Sequence, residues 1–502
     1  MVFCLTRADE QFEWWMTKPN ISNGRPAPRS LDSERHEPLG GACWESAKTL
    51  SRAERQQMNA SRPHSLRRLT RLYSPFPTRA FTAFTTMPPL HKDYRRSLLL
   101  LPSAPSPPTF AALKAAYGSS LFSVLRELAR SPTRSQGTTI LDIALPCDHL
   151  YGQHGVPRSA LYSTTQSLLA GLYKLICVIS AKEPIDVGDS EGIDPRVLLV
   201  AYPRNGQLDQ SLESRPESES QGPVIDIRTL ACSQRSWETV YAIESEEGEQ
   251  ILKNFLSAGK ADRDVRRVRG GIVQVSAKDE QTPSTNAPDH FKRHLSVVLG
   301  GTFDHLHIGH KLLLTMFAFV LEPASTTDEG VQRSLTIGIT GHEMLKNKKF
   351  AEFLESWHER QQAVDGFLRS ILDFGPTNDN RIAVEEKTEP SRNGHAVHVT
   401  LPSSLILKYV EFWDVFGPTI TDETITALVI SAETRSGGKA VNSRRAEKEW
   451  APLDIFEVDV LDAEEEDGTA TQGKVDETFQ SKLSSTEIRR MQSERFRSRS
   501  HV

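Results

Sequence analysis

The segment LSVVLGGTFDHLHIGHKLLLTMFAFVL, from Leu295 to Leu321, is the most informative part of the sequence for predicting the fold. An apolar run of strand length ends at a glycine pair, Gly300 and Gly301, and a polar loop follows. Apolar residues then recur at helical spacing: Leu312, Leu313, Met316, Phe317 and Val320. The order of strand, glycine-rich turn and helix predicts the first unit of a parallel α/β sheet.

The polar loop places two histidines, His307 and His310, on either side of Gly309, where the helix starts. The first amides of a helix have no intrahelical partner, and the helix dipole adds partial positive charge there. Glycines have no Cβ, so a phosphate group can approach the backbone closely. The pattern therefore predicts an anion-binding mouth at which two histidines donate hydrogen bonds. We expect the other nearby histidines, His305 and His342, to be solvated caps.

GGTFDHLHIGH, from Gly300 to His310, resembles the T/HxGH signature of the nucleotidyltransferase superfamily, whose enzymes attack the α-phosphate of a nucleoside triphosphate. Its first part is similar to eukaryotic (fungal-type) and archaeal phosphopantetheine adenylyltransferases. The similarity continues in LVISAETRSGGKAVNSRR, from Leu428 to Arg445, and closes in LSSTEIRR, from Leu483 to Arg490. The first of these two blocks narrows the superfamily to this family.

The resemblance implies a reaction in coenzyme A biosynthesis, in which ATP and 4′-phosphopantetheine give 3′-dephospho-coenzyme A and pyrophosphate. The attacking phosphate is already ionised at pH 7, so catalysis would rest on positioning and charge stabilisation. His307 would orient the phosphates and His310 would stabilise the pentacoordinate α-phosphorus. Mg²⁺ would be carried by the triphosphate, because the sequence shows no dedicated carboxylate cage, and no metal-binding residue is assigned. Asp304 is expected to brace the loop.

The resemblance also implies which other residues contact the substrates. Contacts with ATP are expected from Gly300, Gly301, Thr302, Phe303, Gly309, Glu433, Arg435, Ser484, Ser485, Thr486 and Arg489. In the cationic loop GHEMLKNKK, the resemblance implies a catalytic role for Lys346 and substrate binding by Lys346 and Lys348, and Lys349 stays open. Thr434 and Asn442 also resemble residues around the nucleotide. Ordinary loop polarity remains an alternative for each of these side chains.

LSSTEIRR has a purely local interpretation as well. Ser484 and Glu487 fit a capping box, in which a hydroxyl and a carboxylate satisfy free amides at a helix start. That interpretation leaves Ser485, Thr486 and Arg489 unexplained. These three add hydroxyls and a guanidinium to the same anion-attracting helix end, which favours binding of the β- and γ-phosphates.

Several other functions are compatible with part of the pattern. Class I aminoacyl-tRNA synthetases share HIGH, but the KMSKS-type loop that they carry is absent here. A cytidylyltransferase shares GTFD-HxGH but closes with an RTxGxSTT-type motif. A non-catalytic scaffold protein of a coenzyme A-synthesising complex would retain the fold without the activity. The sequence also lacks the G-x-x-x-x-G-K-[ST] loop of a kinase, so we expect a separate dephospho-coenzyme A kinase as a partner.

Composition restricts the class of protein. The 502 residues carry a net charge of −5, which argues against nucleic acid as the main partner. No run of about 20 apolar residues is present, so no membrane span is expected. Five scattered cysteines suit a reducing, cytoplasmic location. The stretch from Ser61 to Lys92 lacks acidic residues, which keeps mitochondrial targeting as the alternative.

The chain is expected to have four parts. Residues 1–92 are predicted to be a disordered leader, and residues 95–258 an α/β domain of unknown role. Residues 259–291 read as a linker, and residues 292–502 as a nucleotidyltransferase domain with a doubly wound, Rossmann-like parallel sheet. In the first domain, strands are predicted at Thr138–Pro146, Arg196–Pro203 and Pro223–Ala231, and helices at Phe110–Ala129 and from Ala160.

Overall fold

A computed structural model describes most of the chain after residue 94. The described residues are 95–130, 138–183, 185–187, 192–209, 221–259, 263–273, 291–324, 332–375, 381–388, 394–461, 479 and 483–499. The predicted leader, residues 1–92, lies outside these ranges, and so do residues 274–290 of the predicted linker. The predicted α/β class is confirmed, because two sheets built mainly from parallel strands alternate with helices along the described residues.

The N-terminal sheet has six described strands, in the order β4-β3-β2-β1-β5-β6, and every neighbouring pair is parallel. The strands are β1 (Arg95–Leu100), β2 (Thr139–Cys147), β3 (Ile193–Ala201), β4 (Val224–Asp226), β5 (Thr239–Glu244) and β6 (Asp264–Arg269). The helices are α1 (Phe110–Arg130), α2 (Arg158–Lys182), α3 (Ile227–Cys232) and α4 (Glu246–Ala258). The predicted helices α1 and α2 and the predicted strands β2 and β3 are confirmed.

Two predictions in this half need correction. The stretch Pro223–Ala231 was predicted as one strand, but it is a three-residue strand followed by α3. Asp226 causes the change, because its carboxylate accepts a hydrogen bond from the Thr229 amide and caps the helix. The start of the predicted linker is strand β6, whose valines pack on the core while its arginines face solvent. An edge strand that carries many charged side chains has a composition like that of a linker, so the composition predicted a linker here.

The C-terminal sheet has seven described strands, in the order β13-β12-β7-β8-β11-β10-β9. They are β7 (Ser296–Gly301), β8 (Ser334–Thr340), β9 (Ala383–Thr388), β10 (His395–Thr400), β11 (Ile406–Phe412), β12 (Ala427–Ser431) and β13 (Asp454–Val458). The helices are α5 (Ile308–Val320), α6 (Trp357–Leu372), α7 (Arg435–Glu447) and α8 (Ser485–Arg499). The five strands from β13 to β11 are parallel, as predicted, and β10 and β9 add an antiparallel edge.

The strand order brings three loops together at one edge of this sheet. Strand β7 lies between β8 and β12, which the chain reaches on opposite sides, so β7 borders the topological switch point. Because the strands are parallel, the loops that follow β7, β8 and β12 leave the same edge. Ligands of open α/β sheets bind at this place. The predicted site residues in these loops therefore share one edge.

Helix α2 joins the two halves of the molecule. It packs against α5, and the hydrophobic core is continuous from the first sheet to the second. By length and apolar composition, α2 is the one described helix that could span a membrane, but 61% of the apolar window is buried inside the protein. The sequence predicted a helix from Ala160 and no membrane span here. A helix that packs in a protein core can have the mean composition of a membrane span, because it buries many apolar residues.

Candidate active site

The turn after β7 is tightly folded around the two glycines. Gly300 and Gly301 are the last residues of the buried strand, and a Cβ on Gly301 would lie 2.9 Å from the Phe303 ring. Phe303 and His305 have φ angles of +54° and +47°, which residues other than glycine rarely adopt. Such strained positions concentrate where a loop must hold one exact shape. The backbone of the loop therefore lies close to the edge of the sheet, as we predicted from the two glycines.

His307 and His310 meet at the start of α5. His307 is the capping residue of this helix, and its Nδ1 accepts a hydrogen bond from the His310 amide at 3.4 Å. The two imidazole rings stack with centroids 3.8 Å apart and an angle of 18° between their planes. Gly309 permits this stacking, because a Cβ there would lie 3.3 Å from His307 ring atoms. The predicted pairing of these histidines at the helix mouth is what the structure shows.

Burial keeps both histidines neutral. His307 and His310 are only 4% and 2% exposed. Burial lowers the pKa of His307 well below its usual value, and His310, Lys311 and His305 lower it further. Burial, with a smaller contribution from His305, lowers the pKa of His310 to about 3. The Nδ1 atom of His310 is buried and has no hydrogen-bond partner among the described residues. Such an atom marks a place where a ligand can be bound.

A buried ion pair joins the glycine turn to the closing helix α8. Asp304 is fully buried, and its carboxylate binds the Arg489 guanidinium and the Glu355 amide. The Ser485 hydroxyl donates to the Asp304 carbonyl at 2.7 Å. Arg489 also donates to the Lys349 carbonyl and to the Thr486 hydroxyl. Asp304 thus braces the loop, as expected, and brings the predicted residues of α8 to the histidines.

The start of α8 shows part of the predicted capping box. The Ser484 hydroxyl accepts a hydrogen bond from the Glu487 amide at 3.4 Å, as a capping serine does. The Glu487 carboxylate accepts hydrogen bonds from the neighbouring Arg490 guanidinium. Ser484 is buried, whereas Ser485 and Thr486 are partly exposed. The helix end therefore offers two accessible hydroxyls beside the loop.

The lysine loop after β8 reaches the same edge but is more open. Lys346 is exposed and pairs with Glu343 three residues earlier. Lys348 is partly buried, and the Lys349 carbonyl accepts the hydrogen bond from Arg489. The loop is therefore tied to α8 through its backbone. The side chain of Lys346 stays at the surface.

The segment after β12 combines exposed and structural polar groups. Glu433 and Arg435 are exposed, and Arg435 forms two hydrogen bonds of 2.8 Å with the Glu457 carboxylate. The Thr434 hydroxyl donates to the Ser431 carbonyl. Asn442 lies further along α7 and bonds both the amide and the carbonyl of Leu453. The side chain of Asn442 therefore joins α7 to the start of β13.

Arg360 was not predicted as a site residue from the sequence, but it supports the site through hydrogen bonds to the backbone. This arginine of α6 is 1% exposed and donates to three backbone carbonyls, those of Thr302, Thr340 and Glu355. It therefore fastens the glycine turn to the end of β8. The signal in the sequence was an arginine at helical spacing with Val364, Phe367, Leu368 and Ile371, on the buried face of the helix.

His305 is also more structural than expected. Its amide donates to the Glu355 carboxylate at 2.7 Å, and its ring nitrogen Nε2 lies 2.9 Å from the Phe353 carbonyl. The ring is largely buried, so the expectation of a solvated cap was wrong for this residue. Burial raises the pKa of Glu355, and the nearby His305 opposes that shift. His342, by contrast, is exposed.

The described residues offer no ready-made metal cage. In the part of the chain that the structure describes, no group of three or more His, Cys, Asp or Glu side chains is arranged to hold a metal ion. The Asp304 carboxylate is occupied by Arg489 and the Glu355 amide.

Comparisons with known proteins found one family model and several relatives, each of which matches part of the chain. A family model described as "Domain of unknown function (DUF8446)" matches residues 87–274. An uncharacterized protein of Schizosaccharomyces pombe is 33% identical over 230 residues, which are 45% of this chain and 58% of that protein. The phosphopantetheine adenylyltransferase of Saccharomyces cerevisiae is 35% identical over 193 residues, which are 38% of this chain and 47% of that protein. The chain thus spans about half the length of these two relatives.

An archaeal relative is matched over most of its length. The phosphopantetheine adenylyltransferase of Thermococcus kodakarensis is 30% identical over 170 residues, which are 34% of this chain and 78% of that protein. The chain therefore belongs to the phosphopantetheine adenylyltransferase family.

Proposed function

We propose that the C-terminal half transfers the adenylyl group of ATP to 4′-phosphopantetheine, giving 3′-dephospho-coenzyme A and pyrophosphate. The observation that carries the proposal is the buried, stacked pair of His307 and His310 at the start of α5, directly after the glycine turn. Family membership supports the choice of both substrates. In the reaction, an oxygen of the acceptor phosphate bonds to the α-phosphorus, and the bond from that phosphorus to the bridging oxygen breaks. The leaving group is pyrophosphate.

The histidines act as neutral hydrogen-bond donors in this proposal. Because Nδ1 of His307 accepts a hydrogen bond, the proton of the neutral ring lies on Nε2, which can donate to a phosphate oxygen. His310 is neutral at pH 7 as well, since burial lowers its pKa to about 3. We assign His307 to orienting the triphosphate and His310 to stabilising charge on the α-phosphoryl group. Donors fixed in a buried site need no reorganisation during the reaction.

The surrounding residues bind the rest of ATP. The backbone of Gly300, Gly301, Thr302, Phe303 and Gly309 borders the triphosphate, and Glu433 and Arg435 lie around the nucleotide. Ser485, Thr486 and Arg489 hold the leaving pyrophosphate, and the partly exposed hydroxyls of Ser485 and Thr486 supply hydrogen bonds at the start of α8. Lys346 and Lys348 contact the transferred phosphoryl region and the acceptor. When bound with ATP, Mg²⁺ would supply charge neutralisation on the leaving group.

A pyrophosphate-release assay tests the proposal. Purified full-length chain is given ATP or CTP together with 4′-phosphopantetheine, phosphocholine or nicotinamide mononucleotide. We expect release only with ATP and 4′-phosphopantetheine, and mass spectrometry should detect dephospho-coenzyme A. Release with CTP and phosphocholine would show a cytidylyltransferase. No release with any pair, from protein that is folded by circular dichroism, would support the scaffold alternative.

The product needs a further enzyme. We propose that a separate dephospho-coenzyme A kinase, in the cytoplasm, phosphorylates the 3′-hydroxyl of the product. Dephospho-coenzyme A should therefore accumulate when the pure chain is given ATP, Mg²⁺ and 4′-phosphopantetheine. Appearance of the 3′-phosphorylated product in that mixture would contradict this part of the proposal.

A further inference from the structure

The residue next to His310 is a buried lysine that reaches into the other half of the molecule. Lys311 is 3% exposed, and its ammonium donates to the Asp194 carboxylate of β3 and to the Pro195 carbonyl at 3.4 Å. Successive helical residues point about 100° apart, so His310 and Lys311 face different sides of α5. One side carries the candidate active site, and the other is joined to the N-terminal sheet.

Asp194 sits between two cations. Its second carboxylate oxygen accepts hydrogen bonds from Arg196 at 2.6 and 3.0 Å. The groups that face this cluster from α2 are the Tyr173 hydroxyl and the Cys177 thiol. Burial favours an uncharged Asp194, but Arg196 and Lys311 overcome this and hold the pKa of Asp194 far below its usual value. The carboxylate therefore stays charged and binds the Lys311 ammonium.

The far end of α5 is held by the same half of the molecule. The guanidinium of Arg158, the first residue of α2, lies 5.3 Å from the centre of the Phe319 ring. The Arg158 amide donates to the Glu322 carboxylate at 2.7 Å, just after α5 ends. Thus α2 fixes the last turn of α5, and Asp194 is the charged contact at the first turn. Rotation of α5 about its axis would break the contact between Asp194 and Lys311.

We infer that Asp194 is a positioning residue for adenylyl transfer: through Lys311 it sets the rotation of α5 and so the place of His310 at the sheet edge. The inference rests on the proposed function. It also gives a role to the half that matches a domain of unknown function, which becomes part of the catalytic unit rather than a separate module. Neither Asp194 nor Lys311 contacts a substrate in this scheme.

Steady-state kinetics of Lys311→Met, Asp194→Asn and the double variant test the inference. Lys311→Met leaves Asp194 paired with Arg196, so it should fold even if Asp194→Asn does not. We expect each single variant to lower kcat about 10-fold, with KM for ATP little changed, because a misplaced catalytic group costs rate rather than ground-state binding. The double variant should be no slower than the slower single variant, because both changes break the same contact.

Tyr162→Phe is the matched control. It removes one hydrogen bond across the same junction, from the Tyr162 hydroxyl to the Glu457 carbonyl, and leaves the contact between Asp194 and Lys311 in place. We expect it to lower the melting temperature slightly and to leave kcat unchanged. A Lys311→Met variant that behaves like this control would show that the ion pair serves stability alone and would overturn the inference. Multiplicative losses in the double variant would overturn it as well.

Amide hydrogen exchange tests the contact without any assay of activity. Lys311→Met should speed exchange in the first turns of α5, at residues 311–316, and Tyr162→Phe should not. Unchanged exchange there would contradict the inference even if the enzyme is active. Conversely, a wild-type chain that transfers no adenylyl group to any acceptor would refute the proposed function, while faster exchange would still show that Asp194 orders α5.

Discussion

In both sheets of this protein, a helix that follows a central strand is capped at its start, but different side chains form the cap. Each has a central strand, β1 or β7, followed by a loop and a helix that packs on the core. In the N-terminal half the Thr109 hydroxyl accepts from the Ala112 amide at 3.2 Å at the start of α1. In the C-terminal half His307 accepts from the His310 amide in the same way. Similar helix starts thus differ in the chemistry that they display, because fold does not determine function.

The buried ionisable groups show the same contrast. Asp142 of β2 is fully buried but surrounded by Arg96, Arg235 and the Trp237 indole N–H. His307 and His310 are also buried, have no carboxylate partner among the described residues, and remain neutral. Buried charges with partners support the architecture, whereas buried titratable groups without charge partners are suited to chemistry.

The largest expected effect is on turnover. His310→Ala should lower kcat by roughly 10²–10³, as loss of a preorganised transition-state donor does, with little change in ATP affinity. Thr109→Ala, at the corresponding helix start of the N-terminal half, should leave kcat unchanged. Steady-state kinetics and isothermal titration calorimetry measure the two quantities. A His310→Ala variant with near-normal turnover would show that the two helix starts do not differ as proposed.

The next effect is on stability and belongs to the N-terminal half. Asp142→Asn should lower the free energy of unfolding by about 3 kcal/mol, because the buried Arg235 loses its carboxylate. Turnover of the folded fraction should not change. Asp264→Asn, which breaks an exposed pair with Arg266 on β6, should cost less than about 0.5 kcal/mol. Denaturant titration checks both, and equal effects would remove the distinction between buried and exposed pairs.

Acid should destabilise the protein through its neutral histidines. In the unfolded chain His310 takes up a proton as the pH falls through 6.5, whereas in the folded protein it does so only near its pKa of about 3. The unfolded state therefore binds more protons in this window, and stability is lost as the pH falls. From pH 7 to pH 5 this amounts to about 2 kcal/mol.

His310→Asn should remove the part of this loss of stability that comes from His310. Denaturant titrations of the variant at pH 7 and pH 5 measure the difference. His149→Asn in the N-terminal half should remove a separate share, since burial lowers the pKa of His149 to about 4. If neither variant reduces the loss of stability, the acid sensitivity comes from other groups.

The smallest predicted effect concerns the closing helix. Arg489→Ala should weaken ATP about 10-fold relative to AMP, if the guanidinium contacts the β- and γ-phosphates as proposed. Arg490→Ala is the control, because the neighbouring guanidinium pairs on the surface with Glu487 and Glu494. Calorimetry with both nucleotides decides. Equal weakening of ATP and AMP would mean that Arg489 acts only through Asp304 and the glycine turn.

Local sequence patterns were enough to predict the strand, turn and helix that form the candidate site and several elements of the N-terminal half. The strand, glycine turn and helix around Gly300 are present as expected, and so are α1, α2, β2 and β3. Periodic burial produced these signals, since each element is apolar on the faces that it buries. Strand β6 and the short helix α3 were missed, because a charged edge and a capping aspartate do not produce a periodic apolar pattern.

The sequence by itself determined the glycine turn, the two histidines and the helix that follows, because these lie within a few residues and obey local stereochemistry. Only the tertiary structure decided which partners complete them. Asp304 meets Arg489 across 185 residues, and Lys311 meets Asp194 across 117. The periodic pattern of apolar residues in the sequence does not indicate such pairs. They form because a charge can be buried only against an opposite charge, and the packing of the two sheets determines which one is within reach.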